Sequence, residues 1–241
     1  MLEKTRGILI HQLKYSETSV IATIYTENFG RQSYIINGVH SKNATVKAAV
    51  LQPLFLLDLE VYHKPGRDLH RLKNAKIEAP YTSIPYDIRK STVVIFLAEM
   101  LNKCMKEEDP NHELFEFIFH SLTFFDLTEK GIANFHLWFL FKLTTYLGIF
   151  PNRENLEVSN YFDMEKARFV SREPTHLKYM DKRTTEIFSR LFDMSFSNLS
   201  EFAISGSDRQ ILLQKIIEFY QIHFEFLGEL KSLRVLKEVF N

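Results

Sequence analysis

Cysteine is nearly absent from this 241-residue chain: Cys104 stands alone, so no internal disulfide can form and a reducing compartment is expected. Only eight glycines are present. None of them builds a Gly-x-x-x-x-Gly-Lys phosphate loop, a Gly-x-Gly-x-x-Gly dinucleotide turn or a Gly-x-Ser-x-Gly nucleophile elbow. The nine histidines contain no His-Glu-x-x-His pair and none sits at metal-ligand spacing from a cysteine, so no hydrolytic zinc site is expected. The adjacent acids Glu107, Glu108 and Asp109, followed by Pro110, point in different directions and read as a solvated turn rather than a metal cradle. No charge-free apolar run approaches membrane-spanning length, and Met1-Leu2-Glu3-Lys4 opens directly into a strand-like run. The expectation is a cytoplasmic protein without enzymatic chemistry, cofactor or membrane anchor.

What is present divides at Pro80 and Pro85. Residues 5–14, 19–26 and 31–37 are rich in β-branched and aromatic side chains, and residues 47–79 hold two more strand-like runs around a Pro65-Gly66 turn. Leu54, Leu56 and Asp58 alternate with Phe55, Leu57 and Leu59, so one face is buried fully and the other in part. Gly30 supplies the positive φ expected of a turn. Five short strands closing on themselves fit an OB-fold barrel, and an SH3-like barrel has the same count.

Formal net charge is zero, but it is unevenly spread. Residues 1–80 carry 11 Lys and Arg against 7 Asp and Glu; residues 81–241 carry 19 against 23. A basic β-module could attract a polyanion while the acidic part stays away, because phosphate attraction follows local potential. Arg67, Arg71, Lys73 and Lys76 cluster in the last β-run, and alternation places Arg67, Arg71 and Lys73 on one face with Leu72 inward.

Phenylalanine marks the second half: two of 22 lie in residues 1–80. Val93, Phe96, Leu97, Met100, Leu101 and Cys104 recur at helical steps, which makes Cys104 a core thiol. Residues 111–126 and 131–147 read as helices, the latter with Phe135, Trp138, Phe139 and Phe141 as core and a stop at Gly148 and Pro151. Ser207 and Gln210 suggest a capping box for a helix reaching about residue 227, with Leu212, Ile216, Phe219, His223 and Phe226 along one side. His223 is expected to be buried and hydrogen-bonded, and residues 232–240 to form a terminal helix. The fold class is therefore α+β: a five-stranded OB-fold-like barrel over residues 1–80, then an all-helical domain over 81–241 with a loop-rich insertion at about 151–178.

Arg6-Gly7-Ile8-Leu9, Tyr15-Ser16-Glu17, Thr26 through Gly30-Arg31, Gly38 and Leu51-Gln52-Pro53 resemble the N-terminal domain of the RecO family of recombination mediators. Gly66, Leu69, Leu72 and Ala75 continue the match, and Leu230-Lys231-Ser232 with Val235-Leu236 resembles the family's closing helix. The resemblance implies binding of single- and double-stranded DNA, annealing of complementary strands, and work with RecR in loading RecA onto strands coated by single-strand-binding protein, whose acidic-hydrophobic C-terminal tail is also recognised. Many relatives carry two cysteine pairs that bind zinc in the segment matching 151–178. Here that segment has no cysteine and one histidine, His176, so packing of Phe150, Tyr161, Phe162 and Phe169 is expected to replace the metal.

The candidate phosphate contacts are Arg6, Arg31, Lys42, Lys47, Arg67, Arg71 and Lys73; Tyr34 and Tyr62 either stack on bases or sit half-buried in their strands. The rival reading is a protein-interaction scaffold, its helical domain binding peptides and its barrel having no direct DNA role.

Overall fold

The computed structural model describes residues 1–41, 44–105 and 109–240. It forms two compact units, Met1–Leu127 and Thr128–Asn241. Five strands open the chain: β1 (Leu2–Lys14), β2 (Val20–Thr26), β3 (Gly30–Ile36), β4 (Leu56–Tyr62) and β5 (His70–Ile77). They close into a barrel of order β1-β2-β3-β5-β4, with β4 returning to pair with β1. All pairings are antiparallel except β3 with β5. That order and the single parallel seam decide between the two barrels in favour of the OB type.

The interior follows the two-residue period of the strands. Val20, Ala22 and Ile24 from β2, Tyr34 and Ile36 from β3, and Leu57, Leu59 and Val61 from β4 meet in one apolar cluster. Burying each large side chain contributes roughly 1.5–3 kcal/mol. Gly7 lies where the side chains of both neighbouring strands crowd β1: a Cβ there would meet Leu59 Cδ1 at 2.5 Å and Ile24 Cγ2 at 2.7 Å. Ile8 and Leu56, paired across β1 and β4, point to the other side of the wall yet are fully buried.

Helix α1 (Ile88–Cys104) packs on β1, and α2 (His112–Leu127) sets Phe115 against Tyr25 with ring centroids 6.3 Å apart. Cys104 is buried in α1. Of the acidic run, Glu107 and Glu108 lie outside the described residues.

A single carboxylate fastens the link from barrel to helices. Asp126, buried at the end of α2, accepts from the backbone N–H of Thr82 (2.7 Å), Ser83 (2.9 Å) and Ile84 (2.8 Å) and from the Thr82 hydroxyl (2.8 Å). The buried Lys90 ammonium donates to the Asp126 carbonyl (2.8 Å) and to Ser83 Oγ (2.7 Å). Tyr81 completes the fastening by donating its hydroxyl to the Leu54 carbonyl at 2.7 Å, where Leu54 takes a positive φ of 56°.

In the second unit, α3 (Ile132–Tyr146), α4 (Lys182–Ser189), α5 (Gly206–His223) and α6 (Ser232–Val239) surround a phenylalanine core. The 151–178 segment is less loop-like than its sequence suggests. It contributes β6 (Tyr161–Asp163) and β7 (Arg168–Val170), and β8 (Tyr179–Met180) completes a sheet of order β7-β6-β8. Phe162 and Phe169 are buried with centroids 5.0 Å apart, and Phe162 also meets Phe188 at 4.8 Å. Phe150 is 40% exposed but still touches Phe141 at 5.5 Å, while Tyr161 packs edge-on against Tyr179.

Two details of α5 differ from expectation. Its cap is Ser205, whose Oγ accepts from Asp208 N at 3.0 Å, so the capping box starts two residues before Ser207. The helix ends at His223, leaving Phe226 81% exposed beyond it. His223 is half-buried and meets the Met164 carbonyl at 2.9 Å.

Burial alone would push the Asp126 carboxyl up, but the N–H groups of Thr82, Ile84 and Ser83 outweigh it and hold its pKa below the ordinary value. A depressed folded pKa stabilises fully above the unfolded value, near 4, and the contribution fades as pH falls through the folded one. Asp126→Asn should therefore cost about 2–4 kcal/mol at neutral pH. In urea titrations the gap between wild type and variant should narrow below about pH 4; a constant gap would show that charge plays no part.

Candidate nucleic-acid interface

The cations expected to meet phosphate fall into two groups. Arg6, on β1, donates from Nε and NH2 to both oxygens of Glu27 at 2.8 and 2.7 Å and from NH2 to Glu116 of α2. Its guanidinium also lies 5.1 Å from the Phe115 ring centroid and 5.0 Å from that of Phe119. The Arg6 hydrogen bond holds the Glu27 carboxyl below its ordinary pKa, against the opposing effect of burial. Glu27, His112 and Glu116 bring potential ligand atoms within 4.8 Å of one another. Arg6, bonded to both carboxylates, already supplies a cation there.

Arg31, on β3, is committed in the same way. Its guanidinium donates to the Asn102 carbonyl (2.9 Å), to Asn102 Oδ1 (3.0 Å) and to the Met105 carbonyl, so it caps the end of α1. Lys42 lies outside the described residues. Lys47 is exposed at the start of a short 3-10 turn, Ala48–Val50.

Arg67, Arg71 and Lys73 are all exposed. Arg71 and Lys73 flank inward-facing Leu72 on β5, and Arg67 stands in the preceding loop. Alternation then breaks: Glu60 pairs with Asn74 and Val61 with Leu72, so Lys73 is the extra residue of a bulge. Lys73 reaches back to Glu60 at 3.0 Å. Among the described residues no ion pair engages Lys64, Arg67 or Arg71.

These three unpaired cations share a cavity of about 410 Å³ with Tyr62, Leu69 and His70. Lys64 was not among the sequence candidates, although its place beside the Pro65-Gly66 turn puts it on the same loop as Arg67. Tyr62 is 41% exposed, whereas Tyr34 is buried in the barrel, which leaves Tyr62 as the ring available for stacking.

A column of rings supports this rim. Phe29 stacks on His63 (4.1 Å, 12°), His63 on His70 (4.6 Å, 24°), and His70 meets Tyr34 at 5.8 Å. His70 is 4% exposed and accepts from Lys64 N at 3.4 Å. Burial first, then the neighbouring His63, pushes the His70 pKa below the ordinary imidazole value, so the ring is a neutral packing element at pH 7. The positions of Lys64, Arg67 and Arg71 thus rest on packed rings.

The second unit holds a smaller cleft. Leu213, Leu236 and Phe240 line it together with Arg209 and Lys237, an apolar surface beside two cations. Among the described residues no helix is long and apolar enough to cross a membrane.

A closed OB-type barrel bearing unpaired cations and an exposed ring on one rim places the chain among OB-fold proteins, a class that includes many oligonucleotide binders. Similarity in sequence narrows the class. A family model described as Recombination protein O N terminal matches residues 1–81, and one described as Recombination protein O C terminal matches residues 85–234. DNA repair protein RecO of Bacteroides fragilis is 40% identical over 242 residues, covering 100% of both chains. Those of Flavobacterium psychrophilum and Phocaeicola vulgatus are 38% and 36% identical, covering 99% and 100% of each chain. The chain belongs to the RecO family of DNA repair and recombination proteins.

The division of labour among the arginines is testable. Arg6→Gln should lower stability by about 1–2 kcal/mol through loss of two charge-assisted pairs at a half-buried site. It should leave the salt dependence of DNA binding unchanged. A flatter salt slope in this variant, with stability intact, would put Arg6 on the DNA.

Proposed function

We propose that the barrel binds DNA along the rim formed by Tyr62, Lys64, Arg67 and Arg71, with the exposed Lys47 and the remaining candidate Lys42 as further phosphate contacts, whereas Lys73 is held by Glu60. The observation that carries this reading is the cavity that an exposed tyrosine shares with three cations that have no ion-pair partner among the described residues. Cations already paired inside a protein gain little from phosphate, because the internal partner must first be given up; unpaired ones release counterions from the DNA at no such cost. Arg6 and Arg31 accordingly act as structural supports for the helices that flank the barrel. Tyr62 offers a face on which any base can stack, which favours single strands without demanding a sequence.

Within the family role, the activity proposed is annealing of complementary strands and, together with RecR, helping RecA load onto DNA coated by single-strand-binding protein, in the cytoplasm. Annealing needs no nucleotide turnover. Two strands repel each other, and a protein that neutralises both raises their local concentration. The acidic-hydrophobic tail of the coat protein requires apolar contact beside positive charge, and we place it on the surface around the small cleft, about 20 Å³, that Leu213, Leu236, Phe240, Arg209 and Lys237 line. Arg209 is held by Asn134 Oδ1 at 3.0 Å, so its guanidinium is oriented before a tail arrives.

Replacing Lys64, Arg67 and Arg71 together by Ala should weaken binding to all sequences alike and reduce the salt slope by roughly two to three counterions. It should slow annealing of bare strands in parallel. An unchanged slope would move the interface elsewhere. For coated strands, deleting the coat protein's tail, or Arg209→Ala with Lys237→Ala, should abolish annealing while bare strands still anneal; tail-independent annealing of coated strands would remove the docking role.

A further inference from the structure

Beside the cationic cavity lies another of about 350 Å³, and the two share Arg67 and His70. Their chemistry is opposite. The first brings Lys64, Arg67 and Arg71 together with no carboxylate in its lining. The second adds Asp68 and Asp109 to Arg67, so carboxylates outnumber the cation. A phosphate suits the first and is repelled from the second.

The neutral groups of the second cavity have the same bias. Asn28 uses its side-chain amide N–H toward the Lys4 carbonyl at 3.2 Å, and Gln32 uses its own toward the Phe29 carbonyl at 2.7 Å. Each therefore keeps its amide oxygen for a visitor. With two acceptor-only carboxylates, the lining offers many acceptors and, in Arg67, one strong donor. One wall is the stacked pair Phe29 and His63, whose rings are 12° from parallel. His63 Nδ1 is buried without a hydrogen-bond partner, so nothing in the protein turns that ring away from the stack. The volume of about 350 Å³ is ample for one heterocycle.

We propose that this second cavity receives a single unpaired nucleobase bearing an exocyclic amine, its amine donating to Asp68 or Asp109 while Arg67 at the shared edge holds the adjoining phosphate in the cationic cavity. The proposal rests on the DNA-binding reading above and adds base selection to it. Cytosine, adenine and guanine carry such an amine. Thymine does not: its one donor, N3–H, lies between two carbonyl oxygens, which the carboxylates repel. A site built to accept from an amine binds such a base more weakly, because its own groups are left poorly satisfied. In a duplex one hydrogen of the amine is spent on Watson–Crick pairing and the base is held in the stack, so the cavity discriminates against paired DNA as well.

The test compares labelled oligo-dC and oligo-dT of equal length by fluorescence anisotropy at neutral pH across a salt series. Oligo-dC should bind about ten-fold more tightly, with the same salt slope for both, since the phosphate contacts are shared. In the Asp68→Asn/Asp109→Asn double variant the preference should fall below about two-fold. Binding of oligo-dT should hold or tighten slightly, because negative charge has been removed near the phosphate track. Equal affinities in the wild type overturn the proposal, and that comparison needs no variant. A preference undiminished in the double variant overturns it too. Absence of salt-dependent binding to either strand would instead defeat the DNA-binding reading beneath it, so the two failures are distinguishable.

Discussion

Two residue pairs, Tyr34 with His70 and Ile35 with Arg71, form the parallel seam that closes the barrel. Every other strand pairing is antiparallel. The seam joins β3 to β5 and so removes the free edges that an open sheet would expose. It also sets the rim proposed to meet DNA. His70 turns inward beneath His63 and Phe29, whereas Arg71, the next residue, must turn outward. The loop bearing Lys64 and Arg67 joins β4 to β5, and the start of β5 is held on one side by Tyr62 of β4 and on the other by this seam. The cations that remain unpaired are therefore fixed by the same contact that completes the fold.

Around the closed barrel the charges are sorted by whether they have internal partners. Arg6 binds Glu27 and Glu116, Arg31 caps the end of α1, and Lys90 with Asp126 secures residues 82–84. Each joins strand or linker to helix within the first compact unit. Lys64, Arg67 and Arg71 have no such employment on the rim. Net composition hides this: a chain with equal numbers of acidic and basic residues presents a local cationic surface where Lys64, Arg67 and Arg71 gather in a cavity with no carboxylate in its lining.

Much of this architecture was legible in the sequence. The five strands followed from period-two patterning and from the turns at Gly30 and Gly66, both of which adopt positive φ. Five of the six described helices followed from three- and four-residue spacing or from a cap, whereas α4 (Lys182–Ser189) was not singled out. Strand order was not legible, because an SH3-like barrel satisfies the same local pattern and only long-range pairing distinguishes them. The sheet β6–β8 was missed since strands of two or three residues carry no measurable period. The capping box slipped by two residues because Ser205 and Ser207 each have a polar residue three positions on, and only the structure shows that Ser207 already lies in the first turn of the helix. Of the candidate cations, sequence could locate the Arg67–Lys73 cluster but could not reveal that Arg6 meets Glu116, 110 residues away. Nor could it reveal the bulge that makes Lys73 the extra residue opposite Glu60 and Val61.

The central claim is that DNA occupies the rim of unpaired cations and not the surface where Arg6 and Arg31 are engaged. Hydrogen–deuterium exchange of the full chain, with and without a saturating single-stranded oligonucleotide, reads this directly. The account predicts slowed exchange centred on residues 62–73, with residues 102–105 and 112–120, which engage Arg31 and Arg6, exchanging as in the free protein. Protection centred on 102–105 and 112–120, with 62–73 unaffected, would contradict it.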